Sequence, residues 1–116
     1  MVEDQIEVRR LACAALRRTG YTVLEAANGN EALACADGFA DRIHLLVADV
    51  IMPGMTGCEV AEKLLARRPD MRVLFMSGYA DNAMIQKAAQ AKDAGFLQKP
   101  FAPAALVAKV REILDA

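Results

Sequence analysis

Apolar residues recur along this chain at two different periods, and the alternation between them predicts its architecture. Val8, Leu11, Ala12, Ala15 and Leu16 fall at helical spacing, with Arg9, Arg10, Arg17 and Arg18 largely on other faces and Gly20 as a stop. This predicts a helix over residues 5–19. Tyr21 to Ala26 is short and β-prone, and Asn28-Gly29 is a turn signal leading into a helix over residues 30–37. Leu45 to Ala48 is a continuous apolar run, as expected of a strand covered on both faces, and Glu59 to Arg67 carries Val60, Ala61, Leu64 and Leu65 on one helical face. Arg72 to Ser77 repeats the strand pattern, and residues 82–92 form an Ala-rich helix candidate. Gly95 to Gln98 is a further short strand, after which Pro103 opens a helix striped with Leu106, Val107, Val110, Ile113 and Leu114.

Helices that intervene between successive strands imply a parallel sheet with right-handed crossovers, helices on both faces and function at the carboxyl ends of the strands. The 116 residues suit one domain spanning residues 1–116, without repeat or interdomain linker. Composition narrows the partners. With 55% hydrophobic and 25% charged residues and a formal net charge of -1, disorder is excluded and nothing favours direct nucleic-acid binding. Cys13, Cys35 and Cys58 are odd in number, widely spaced and without a paired His, so they read as reduced core thiols, neither disulfide nor zinc ligands. No apolar stretch approaches the roughly 18 to 20 residues that cross a bilayer. The expected location is the cytoplasm, without membrane contact by this domain, tethered if the parent chain is membrane-bound.

The chemistry gathers at predicted strand ends. Asp49 closes the run Ile43 to Ala48, where a carboxylate is costly unless a cation, a Lys or a reaction accounts for it. Ser77 ends the next strand, Lys99 the last, and Glu3-Asp4 precede the first helix. Three acids, a hydroxyl and an ammonium thus converge. Hard oxygen ligands suit Mg²⁺, which together with Lys99 would offset the repulsion among the acids and could stabilise phosphoryl charge.

In order along the chain, Val2-Glu3-Asp4, Asp49 with Met52-Pro53-Gly54-Met55-Thr56-Gly57, Ser77-Gly78-Tyr79 and Lys99-Pro100-Phe101 resemble the response-regulator receiver domain. The resemblance implies a flavodoxin-like, doubly wound, five-stranded parallel sheet of order 2-1-3-4-5. It also implies a switch in two-component signalling. Asp49 would be the phosphoacceptor, taking a phosphoryl group from the phosphohistidine of a histidine kinase or a histidine phosphotransfer domain. Glu3, Asp4, Asp49 and the Ile51 backbone carbonyl would hold Mg²⁺. Lys99 would pair with a phosphoryl oxygen, Ser77 would move to bond another, and Phe96 would repack as it does so. The readout surface, and that of a homodimer, would be the fourth helix, fifth strand and fifth helix. Such a domain is a phosphoacceptor that assists its own phosphorylation and slow dephosphorylation, not an enzyme. Ile51 and Tyr79 occupy the positions that tune the attacking water, and as bulky residues they predict slow loss of the phosphoryl group.

The wording around Ser77 and Lys99 is most similar to receivers at the C-terminus of hybrid sensor histidine kinases. One departure stands at the front. Receivers carry four or five apolar residues before the acidic pair, whereas Met1-Val2 alone precede Glu3 here, so the first strand is truncated. Two rivals follow: a pseudo-receiver acting as a binding module, and an aspartyl phosphatase of the haloacid dehalogenase type. The latter needs a second acid two residues after the nucleophile, where this chain has Ile51. Plainer roles compete at single positions. Glu3 and Asp4 could cap a helix, Ser77 could be an ordinary hydroxyl, Phe96 a core aromatic, and Lys99 a solvated lysine.

Overall fold

The computed structural model describes residues 1–78 and 94–115. Three strands, β1 (Leu45–Asp49), β2 (Arg72–Ser77) and β3 (Gly95–Gln98), form a parallel sheet in that order. Among the described residues four helices accompany them: α1 (Ile6–Arg18), α2 (Gly29–Asp37), α3 (Gly57–Arg67) and α4 (Pro103–Asp115). Beyond β1 the sheet continues by single residues, because Val2 bridges Ala48 on one side and Ala26 on the other. The spatial order is therefore the predicted 2-1-3-4-5, with its first two positions reduced to one bridge each. The candidate helix over residues 82–92 and Tyr79 lie outside the described residues.

Period-two alternation on buried strands divides the interior into two layers. Leu46, Ala48, Val73 and Phe75 face the side of Ala32 and Ala36 of α2 and Val60 and Leu64 of α3. Val47, Leu74 and Met76 face Ala12 and Leu16 of α1 and Leu106 and Val110 of α4. Helices thus cover both faces, as crossovers of one hand require. Asn28 caps α2 through the Glu31 amide, and Thr56 with Glu59 forms a reciprocal capping box on α3.

A strand was expected over residues 21–26, yet only Ala26 pairs, since the neighbouring strand offers it little more than Met1 to Glu3. Its bonds are Ala26 N–H to the Met1 carbonyl, Glu3 N–H to the Ala26 carbonyl, and the Met1 ammonium to the Leu24 carbonyl at 2.9 Å. Where that pairing stops, a groove of about 620 Å³ opens between Thr22-Val23-Leu24 and Leu45-Leu46-Val47. On α1, Leu11, expected in the core, is 60% exposed, and the buried face carries Ala12, Cys13 and Leu16. Arg9, at helical spacing from those three, lies on that inner face instead of the outer one. The expectation of core thiols holds for Cys13 alone, since Cys35 is exposed and Cys58 half-buried, while all three are free thiols.

Candidate functional site

β1 ends on Asp49 because its odd and even positions are both apolar up to Ala48, so the strand stays covered until the first charged group. Asp49 lies beside Met76 in register, which places Ser77 one residue further along the adjacent strand, and Ser77 is itself in register with Gln98. The Lys99 amide donates to the Ser77 carbonyl at 2.7 Å, so β2 carries the start of the next loop to the same end of the sheet. Val2 locks Glu3 against that end from the other side, through Val2 N–H to the Val47 carbonyl and Asp49 N–H to the Val2 carbonyl. Even one bridge residue thus fixes the position of the acidic pair.

Gly57 makes the loop after Asp49 possible. A Cβ at Gly57 would collide with the Asp49 carbonyl oxygen, so only glycine lets the first turn of α3 approach this closely. Gly54, with φ +79, takes the turn that brings the chain back.

Lys99 Nζ stands 2.6 Å from Asp49 Oδ2 and 2.8 Å from Glu3 Oε2. The other oxygen of Asp49 accepts from the Ile51 amide, and Glu3 Oε1 accepts from the Gln5 amide, each at 3.2 Å. Glu3 is fully buried, and although its Oε2 forms the ion pair with Lys99 it receives no aligned hydrogen bond. Burial pushes the Glu3 carboxyl above its ordinary value, with Lys99 opposing and Asp49 adding to the rise. Burial pulls the Lys99 ammonium down, but its pairing with the Asp49 and Glu3 carboxylates outweighs that and holds it above its ordinary value. The protonated lysine and ionised acids therefore stabilise one another.

Asp4 is exposed beside them, and one oxygen each from Glu3, Asp4 and Asp49 lie within 4.8 Å of one another. The edges of an octahedron around Mg²⁺ span roughly 3 to 4 Å, so an all-oxygen set at this spacing, one member with an incompletely satisfied buried oxygen, fits such an ion with modest adjustment. Three carboxylates around one ammonium also leave negative charge uncompensated, which a divalent cation would relieve.

The structure thus brings together Glu3, Asp4, Asp49 and Lys99 at the strand ends, with Ser77 buried next to them. Ile51 stands at the mouth, 47% exposed. Phe96 is set back: it is partly buried against the core, its ring 5.8 Å from that of Phe75, its partner in register. Glu3 bonding to Lys99 was not foreseen, and nothing in the spacing of residues 3 and 99 signals it.

The response regulator receiver domain family matches residues 1–111 of the chain. Two similar proteins come from Brucella abortus (strain 2308). The sensor kinase CckA is 38% identical over 115 residues, 99% of this chain and 12% of that protein, so the chain spans a small part of the kinase's length. The response regulator receiver protein CpdR is 32% identical over 116 residues, all of this chain and 95% of that protein. Among solved structures, a CheY-like response regulator receiver domain protein from Methanospirillum hungatei JF-1 superposes with a TM-score of 0.87 at 31% identity, covering 98% of this chain and 90% of the other. The chain accordingly belongs to the response regulator receiver domains, the phosphoryl-accepting switches of two-component signalling.

Proposed function

We propose that the chain acts as one receiver domain and that Asp49 is its phosphoacceptor. The observation that carries this reading is Lys99 Nζ, held between Asp49 and Glu3 at 2.6 Å and 2.8 Å on the open end of the sheet. An Asp49 carboxylate oxygen attacks the phosphorus of a phosphohistidine. The new O–P bond forms as the N–P bond breaks, and the imidazole nitrogen keeps the electron pair and takes up a proton from solvent. Lys99, already protonated and oriented, follows charge onto the phosphoryl oxygens, and the Ile51 amide holds the carboxylate in place. Glu3, Asp4 and Asp49, with the Ile51 carbonyl, would hold Mg²⁺, which supplies charge neutralisation of the phosphoryl group when bound.

Ser77, buried beside the site, is the hydroxyl that would turn toward the phosphoryl group, and Phe96, its ring tilted at 34° to that of Phe75, would repack in response. The donor is a histidine kinase or a phosphotransfer domain carrying phosphohistidine. A homodimer would use β3 and α4, together with residues 82–92 if they form the helix expected from the sequence. No helix among the described residues is long and apolar enough to cross a membrane.

Incubating the chain with Mg²⁺ and acetyl phosphate is expected to add one phosphoryl group by intact mass, with no addition in Asp49→Asn or when Mg²⁺ is chelated. No addition to a folded sample would favour a binding module instead.

The lifetime of the phosphoryl group is a separate prediction. Ile51 is half exposed with its amide on Asp49, so its apolar side chain stands where an attacking water would need orienting. Ile51→Asn should shorten the acyl-phosphate half-life by about tenfold, a barrier change of about 1.4 kcal/mol. An unchanged half-life, followed by loss of the phosphorylated mass, rules out this role for Ile51. Tyr79 is proposed to act in the same way.

A further inference from the structure

Arg9 is the one charged residue on the inner face of α1 among the described residues whose guanidinium reaches the backbone of the acidic pair. Its side chain is 15% exposed, in line with Ala12, Cys13 and Leu16, where a cation is costly unless it is paired. Nη1 donates to the Glu3 carbonyl at 2.9 Å, and Nε lies 3.5 Å from Glu25 Oε1. Glu25 is in turn held by Arg17 at 2.9 Å, and Arg17 also donates to the Val23 carbonyl, also at 2.9 Å. The Arg17 guanidinium beside Glu25 holds that carboxyl below its ordinary value, so it stays ionised as the orienting partner.

The carbonyl that Arg9 grips belongs to the peptide joining Glu3 to Asp4, so both carboxylates hang from the plane it fixes. Val2 is bonded to β1 through both its amide and its carbonyl and the Glu3 amide to Ala26, which fixes the chain up to this peptide; beyond it Gln5 at the start of α1 provides no side-chain cap, and the peptide plane itself is held at the Glu3 carbonyl. We propose that Arg9 is a positioning residue for the metal-facing carboxylates: together with Glu25 it sets the orientation of Glu3 and Asp4. This inference rests on the metal reading of the site.

Charge and geometry predict opposite signs. As a bare cation near a divalent ion, Arg9 would weaken binding, and its removal would tighten it. As a support for the ligands, its removal loosens binding, by roughly tenfold for an outer partner of a ligand. The experiment is Mg²⁺ titration by calorimetry of the full chain, with far-UV circular dichroism and thermal melting of each variant. Arg9→Ala is expected to raise the Mg²⁺ Kd by roughly tenfold, and Glu25→Gln, which lies outside the cluster, by a smaller factor in the same direction. Arg9→Lys, which keeps the charge but loses the fork, should fall between. If Arg9→Ala does not fold, Arg9→Lys decides the matter because it keeps the charge, whereas loss of the Glu25 charge would weaken Mg²⁺ binding by electrostatics alone. A Kd unchanged or tightened in the folded variants, even with a lowered melting temperature, overturns the positioning role. Absence of Mg²⁺ binding by the unsubstituted chain overturns the metal reading and this inference with it, and is distinguished by that control.

Discussion

Replacing Lys99 with Met is expected to cut phosphorylation by acetyl phosphate about a hundredfold and to destabilise the Mg²⁺-free fold at neutral pH. The first effect follows from losing an oriented cation aimed at developing phosphoryl charge, about 2.7 kcal/mol at the transition state. The second follows from Glu3, which is fully buried and whose Oε2 has Lys99 as its cation at 2.8 Å. Removing one partner of a buried pair typically costs about 3 kcal/mol or more, until the stranded acid takes up a proton.

The pH dependence carries the sign. Glu3 sits above its ordinary 4.5 mainly because of burial, so the folded state binds its proton more readily than the unfolded chain. The cost of keeping Glu3 ionised is present at neutral pH and is relieved as pH falls through its folded value. Without Lys99, which lowers that value, the relief comes at higher pH. The stability gap between the unsubstituted chain and Lys99→Met should therefore be wide at pH 7.5 and narrower at pH 5.5. Lys99 itself, raised above 10.5, contributes stability below that value and loses it as pH rises through its folded value. Denaturant melts at the two pH values test the argument; equal gaps would mean that Glu3 is not the group left stranded.

Joining three apolar, β-prone residues to the amino side of Met1 is expected to raise stability by about 2 to 4 kcal/mol. The groove of about 620 Å³ lies on the path of that extension. Val2 uses the Val47 carbonyl and the Asp49 amide, while Met1 uses the Leu24 carbonyl and the Ala26 amide. Continuing both ladders by their alternation offers the Leu45 carbonyl, the Val47 amide, the Thr22 carbonyl and the Leu24 amide to the added residues. Burying each apolar side chain contributes about 1.5 to 3 kcal/mol, against about 1 to 2 kcal/mol to order each residue.

Extension also removes a buried charge. Burial lowers the Met1 ammonium from its ordinary 8.0, so stability of the unextended chain rises as pH increases from its folded value toward 8.0 and levels off above. An amide in its place abolishes that rise. Thermal melts of an apolar extension against a Gly-Ser extension of equal length separate the contributions. Equal melting temperatures would show that the groove does not take a strand.

Much of this molecule can be read from residue order. The buried strands announce themselves as runs at Leu45 and Arg72, Pro103 marks a helix start and the apolar stripe from Val60 to Leu65 marks another helix, because these signals are local and repeat within one or two turns. Parallel pairing then forces Asp49, Ser77 and Lys99 to one end of the sheet, so the outline of the site follows from chain order alone. Gly57 stood in the sequence only as part of the motif after Asp49, and nothing there marked it as the position where a Cβ would meet the Asp49 carbonyl.

What remained hidden involves phase and distance. The spacing of Val8, Leu11, Ala12 and Leu16 established a helix, yet which side of it faces the sheet depends on how α1 docks against α4; docking turned Leu11 outward and Arg9 inward. A strand at residues 21–26 looked as sound as the others, but strand geometry needs a neighbour, and Met1 to Glu3 supply it only at Ala26. By itself the sequence determined the strands at Leu45, Arg72 and Gly95, the helices around them, their order and the acids, hydroxyl and lysine that meet at the strand ends, because periodicity and parallel topology are local or combinatorial constraints. Tertiary structure alone decided that Lys99 joins Glu3 to Asp49 and that Arg9 holds the peptide between Glu3 and Asp4, because those partners are chosen by packing in space.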